Sequence, residues 1–326
     1  MAILGPTGTV YGDRADILAS VREKPMAALP VWAEVLPVQT VPKKRGSFGK
    51  IGVENFTNRP GAKGVARGSG AGTKRIDVRL GEITFQTKER SLSTPYDDSE
   101  RGELEDRFQL ETAMVEILYK QIQMEHEYVA AGLLFSETTF PLGGITGFQA
   151  GTLWSSTSAK PKDNAQTALG FMAQRGADPM DASALMSYLN FLTLLNMESM
   201  LQDKRYLETP SLLITEQNKA TAAAQLGVKK VIVGGMYANT AGEGLTPSLS
   251  PVWSDNYVLF GNFGEQNDDP YQRCLGRSYA CTSFLGAGTA DSYRDDDSRS
   301  DMLRFGTNIG HQINFANCGV LVKVRT

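Results

Sequence analysis

Apolar spacing along the chain is most regular between Asp98 and Ala131. This stretch has no proline and one glycine, Gly102, and good helix formers dominate it, so it predicts one long helix. At about 1.5 Å per residue that helix extends roughly 50 Å. Two apolar series run along it. Phe108, Val115, Ile122 and Val129 recur every seven residues, and Leu110, Ile117, Met124 and Ala131 do the same two residues later, about 200° round the helix. A coiled-coil seam does not fit, because its d positions would be Leu104, Glu111, Leu118 and Glu125, half of them carboxylates. The spacing predicts a helix held between two layers. One of the two series is expected on the chain's own sheet, and the other partly covered by a hairpin or arm, its own or another chain's.

Other periodicities divide the remaining chain. Alternation at Ile51 and Val53, at Ile76, Val78 and Leu80, and at Ile83, Phe85 and Thr87 predicts a long two-stranded excursion. Its middle, RPGAKGVARGSGAGTKR, is too polar and glycine-rich to pack a core and is expected to form the loop tip. Upstream, a short helix is expected around Asp13–Arg22. Pro25, Pro30, Pro37 and Pro42 then impose extended backbone. This arm carries Trp32, Val35, Leu36 and Val38, which need another surface to lie on. Downstream, Asp163 is expected to cap a helix running to Arg175 and ended by Gly176, followed by a strand at Ala182–Ser187 and a helix at Tyr188–Leu201. Thr215 is expected to cap Glu216–Leu226, stopped by Gly227 before a strand from Val228. Late strands are expected at Tyr257–Phe260, Arg277–Ser283, Met302–Asn308 and Val320–Val324, with the polar run Tyr293–Asp301 as a turn. The class is α+β.

Charge sharpens this picture. Residues 41–76 hold nine basic residues against one acid and eight glycines, whereas residues 97–111 hold seven acids against two arginines. Carboxylates at a helix start are partly explained by the helix dipole. The net charge of −3 argues against a general nucleic-acid coat. No apolar run reaches the roughly 18 residues of a membrane span. Cys274, Cys281 and Cys318 are odd in number and lack CxxC spacing, which fits free thiols in a reducing cytosol.

Catalytic patterns fail one by one. His126 sits in EHEY, but position 130 is Ala, so no zinc-binding HExxH forms, and His311 has no ligand-like neighbours. Gly68–Lys74 lacks phosphate-loop spacing, and Asp295–Asp297 lacks the glycine and distal glutamate of a calcium loop. No GxSxG elbow occurs. A non-enzymatic chain with no metal and no cofactor is expected.

The order of the pieces resembles the major capsid proteins of tailed bacteriophages, which share the Hong Kong ninety-seven-type fold with encapsulins. The segments carrying the resemblance are EYVAAGLLF, LWSSTSAKPKDNAQTAL, LLITEQNKATAAAQLGVKKVIVGGMYANTA, PVWSDNYVLF and ADSYRDDDSRSDMLRF. It implies an N-terminal arm over 1–40, an extended E-loop over 41–90, a peripheral domain over 91–162 and 264–326 with its spine helix at 98–131, and an axial domain over 163–263. It also implies hexamers and pentamers of this chain in an icosahedral virion shell, assembled in the host cytoplasm. The shell would enclose double-stranded DNA without sequence-specific contacts and without a membrane, with a portal and a decoration protein as further partners. Only about 40 residues precede the hairpin, which implies a separate scaffolding protein or none.

On that reading, Lys50, Arg59, Lys63, Arg67, Lys74 and Arg75 of one subunit are expected over Glu100, Glu103, Glu105, Asp106 and Glu111 of a neighbour. The alternatives are an encapsulin-like cargo shell, or a nucleic-acid arm formed by residues 41–76.

Overall fold

The computed structural model describes residues 3–4, 10–13, 30–52, 55, 69, 78, 80–98, 110–197, 216–242, 244–265, 273–283 and 285–326. They form an α+β fold with two large sheets. The first has seven strands arranged around β15, Ser300–Ile313. β6 (Lys88–Asp97) pairs with β15 from Ser300 to Ile309. On the other side lie β14 (Thr289–Asp295) and then β13 (Gly276–Cys281), with β3 (Val38–Val41) parallel to β13. β1 (Ile3–Leu4) and β2 (Val10–Asp13) continue the sheet beyond β14. Asp13, expected to open a helix, is therefore in a strand, and residues 14–22 lie outside the described ones.

Polar composition misleads in this sheet. Tyr293–Asp301 is mostly strand rather than turn, since only residues 296–299 connect β14 to β15. Its charges are matched across the ladder. Arg304 stands opposite Asp291 and grips it through Nε and Nη2 at 2.8 and 2.6 Å. Arg294 stands opposite Asp301 at 3.3 Å and also holds Asp98. Opposite charges across a strand pair stabilise it as apolar pairs do. β6 shows no apolar alternation and buries only Tyr96, so its sequence does not announce a strand.

The long helix, Leu110–Leu134, runs three residues past the expected end, and residues 99–109 lie outside the described ones. Val115, Leu118 and Ile122 pack on Leu303 and Phe305 of β15 and on Tyr96. Val115 and Ile122 thus sit on the subunit's own sheet, while Val129 is half-buried. The opposite series splits along the helix. Ala131 is buried and Met124 packs on the main core, but Ile117 is 55% exposed.

The second sheet has five strands in the order β7 (Gly147–Gln149), β16 (Gly319–Lys323), β12 (Tyr257–Gly261), β8 (Ser183–Ser187) and β9 (Val231–Gly234). Strands buried on both faces read as continuous apolar runs, as SALMS, YVLFG and GVLVK do. Helices Pro161–Gln174, Tyr188–Asn196 and Glu216–Leu226 flank the sheet. The first is preceded by Lys160 without a side-chain cap, and Pro161 takes the opening turn, so Asp163 is not the cap. The second ends at Asn196 rather than Leu201, because Met197 is extended (ψ 137°). Gly176 and Gly227 take φ of +72° and +73° as helix stops. The late strands divide, with β13, β14 and β15 in the first sheet and β12 and β16 in the second.

The segment from Pro30 to Val41 is a strap across both layers. Trp32, Val35 and Leu36 are buried in the chain's own core, which is where the apolar arm finds its surface. Trp32 Nε1 donates to Gln123 Oε1 at 2.9 Å, and the Val31 amide donates to Glu127, both acceptors on the long helix.

Candidate assembly surface

Beyond the strap, β4 (Arg45–Ile51) and β5 (Leu80–Gln86) form an antiparallel ladder of their own, from Arg45 opposite Gln86 to Ile51 opposite Leu80. Only Ile83 and Phe85 of its residues are buried. The root is fixed by three stacked rings, Phe48, Phe85 and Tyr279, with centroids 4.9–5.7 Å apart. Gly310 lets β15 approach the end of β5 so closely that a Cβ there would lie 2.1 Å from the Gln86 carbonyl oxygen. Lys50 turns back onto its own chain. Its Nζ donates to the Asn314 carbonyl at 3.3 Å and lies 4.7 Å over the Phe315 ring. Leu80 at the ladder's far end and Val78 beyond it are exposed.

Of the charges expected at a subunit contact, Lys50 and Glu111 are described, and Glu111 is half-buried in the first described turn of the long helix. Arg59, Lys63, Arg67, Lys74, Arg75, Glu100, Glu103, Glu105 and Asp106 lie outside the described residues. Apolar side chains that charge counting passed over lie exposed elsewhere. Ile117 and Tyr128 share the outer face of the long helix, eleven residues and so about 20° apart. A second hairpin, β10 (Tyr237–Asn239) with β11 (Leu249–Pro251), presents Tyr237, Leu245 and Leu249, the two leucines more than two-thirds exposed. The sequence signal for both was available: a large apolar residue inside a polar helix face, and leucines in a glycine-flanked turn.

No protein-family model and no curated protein matches the sequence. Solved structures do. A phage-related protein from Bordetella bronchiseptica RB50 superposes with a TM-score of 0.70 at 15% identity, covering 95% of this chain and 97% of that one. The capsid structure of the cyanophage P-SCSP1u gives 0.56 at 10% identity over 93% and 90% of the two chains. The mature capsid of bacteriophage PhiM1 gives 0.57 at 12% identity over 92% and 89%. The fold is that of tailed-phage major capsid proteins.

Within the capsid fold, the residues that a catalytic reading would turn to have structural surroundings. Cys274, Cys281 and Cys318 are free and buried, and burial pushes the Cys318 thiol up to about 11, far from the reactive thiolate form. Among the described residues, no three His, Cys, Asp or Glu side chains are grouped to hold a metal ion, and no helix is long and apolar enough to cross a membrane. His126 and His311, 185 residues apart, meet at 2.9 Å beneath the strap.

Proposed function

We propose that this chain is a major capsid protein, many copies of which assemble through hexamers and pentamers into an icosahedral shell around double-stranded DNA. The observation that carries the reading is the capsid fold running through almost the whole chain rather than one module of it. The axial role falls to residues 163–263, whose β10–β11 hairpin supplies exposed apolar side chains for contacts between copies. The hairpin of residues 41–90 takes the E-loop role. Its basic tip crosses the acidic start of a neighbour's long helix, and Ile117 and Tyr128 provide apolar ground on that helix.

Single exposed ion pairs contribute about 0–1 kcal/mol. Repetition at every contact in a closed shell multiplies such small terms. The test is simultaneous charge reversal of Lys63, Arg67, Lys74 and Arg75. The expected product is folded, soluble subunit that no longer sediments as particles; normal assembly across a salt series would refute the contact. Labelled DNA mixed with isolated subunits at low salt discriminates the nucleic-acid-arm reading. An assembly loop leaves the DNA essentially unshifted, whereas an arm shifts it and loses that shift on charge reversal.

A further inference from the structure

The two histidines of the chain form one continuous hydrogen-bond chain that ends on the strap. Thr307 Oγ1 lies 2.9 Å from His126 Nε2, and His126 Nδ1 lies 2.9 Å from His311 Nε2. His311 Nδ1 lies 2.8 Å from Ser278 Oγ, which donates to the Leu36 carbonyl at 2.9 Å. That last bond assigns every proton. Ser278 gives its hydrogen to Leu36, so its oxygen accepts from His311 Nδ1–H. His311 Nε2 is then bare and accepts from His126 Nδ1–H, and His126 Nε2 is bare and accepts from Thr307. Both rings are neutral, and all four bonds point from Thr307 toward the strap. Trp32, on the strap, lies against both rings with centroids 5.1 and 5.2 Å away.

An added proton has little to compensate it. On His126 it creates a cation in a site with no exposed surface. On His311 it turns the shared bond round, so that His126 accepts at Nδ1 and gives Nε2–H to Thr307, and the cation still lies within the pair. The charged groups facing the pair are Arg90 from β6, which repels a cation and is itself held by Glu125 at 3.7 Å, and Arg45 from β4, which lines the same cleft as His311. Glu127, beside His126 on the helix, is committed to the Val31 amide. That cleft, about 500 Å³ beneath the hairpin root, brings solvent to the His311 side of the pair.

We propose that residues 31–37 form an acid-released latch: a proton on the His126–His311 pair puts an uncompensated buried cation beneath Trp32, and hydrating it lifts the Trp32 turn from the long helix. The device belongs to the single subunit and does not rest on the assembly reading. It ends eight residues upstream of Arg45, with β3 anchored on β13 between the latch and the hairpin.

The test is hydrogen exchange of the full-length subunit, read at the Glu34, Val35 and Leu36 amides, which bond to the Val31 and Trp32 carbonyls. Burial holds both histidines down to about 3 from 6.5, while burial holds Glu127 up at about 7. The histidines therefore favour opening as pH falls, and Glu127 opposes it. In wild type, protection corrected for intrinsic exchange is expected to fall roughly tenfold from pH 7 to pH 5. In Glu127→Gln the fall grows to several hundredfold by the same linkage. In His126→Gln/His311→Gln the trend reverses, and protection rises as pH falls. Wild-type protection that stays flat, or a double variant that keeps the acid-induced loss, overturns the proposal. Should the double variant fail to fold, the histidine C2 proton resonances of wild type decide. Both stay neutral at pH 5 if the latch is right, and titration near 6.5 sinks it.

Discussion

The five-stranded sheet and the β4–β5 hairpin satisfy their backbone hydrogen bonds in the same way, by antiparallel or parallel pairing, yet they are held in place very differently. β8 is buried at every position and β12 and β16 at all but one. The hairpin is exposed or half-exposed everywhere except Ile83 and Phe85. An isolated two-stranded ladder is marginal in water. The sheet is therefore complete within one chain, whereas the hairpin depends on a three-ring root here and on whatever its far end meets elsewhere. One self-sufficient layer and one unfinished excursion fit the proposed contact between copies.

Breaking the sheet has the largest effect. Phe260→Ala removes a ring with no exposed surface from the centre of β12 and is expected to cost about 3–5 kcal/mol, read by denaturant unfolding of the whole subunit. Phe85→Ala, at the hairpin root, is expected to cost about 3 kcal/mol locally. It should raise amide exchange across β4 and β5 while leaving the five-stranded sheet protected. If both variants lower global stability and exchange alike, the two regions are not separable and the comparison fails. Gly310→Ala should push β5 away from β15 and cost about 1–3 kcal/mol, seen as faster exchange at Thr87, whose amide bonds to the Lys44 carbonyl at the base of the hairpin.

Acid sharpens the comparison further, because His126, His311 and Glu127 lie under the strap rather than in the five-stranded sheet. His126 and His311 have folded values near 3, below 6.5, so the stability they contribute is present above pH 6.5 and lost as pH falls toward 3. Glu127, raised to about 7, has the opposite sign between pH 7 and 4.5. Between pH 6.5 and 4.5 the two histidines outweigh Glu127, so a net loss is expected there, and a steeper one below 4.5. Equilibrium denaturation at a series of pH values measures both slopes, and Glu127→Gln should steepen the upper one to match the lower.

The elements that sequence made legible are those where one pattern acts alone. The apolar runs of β8, β12 and β16 and the left-handed stops at Gly176 and Gly227 needed no partner to be recognised. What remained hidden depends on residues far apart. β6 is a strand because ten residues of β15 lie beside it, not because of its own composition. The charges of Tyr293–Asp301 look like a turn until Arg294 and Arg304 are seen opposite their aspartates. His126 failed every ligand motif, and nothing in its neighbourhood pointed to a partner 185 residues away. The division of the late strands between two sheets is likewise a property of the fold and not of any segment.

We propose that this chain builds a closed shell from copies of itself. The most direct measurement is to express the chain, sediment it, and image the fast fraction by negative-stain microscopy. Discrete closed particles of uniform size are the predicted result. A chain that stays monomeric at every concentration and salt condition, in the presence of co-expressed scaffolding protein as well as alone, would contradict it.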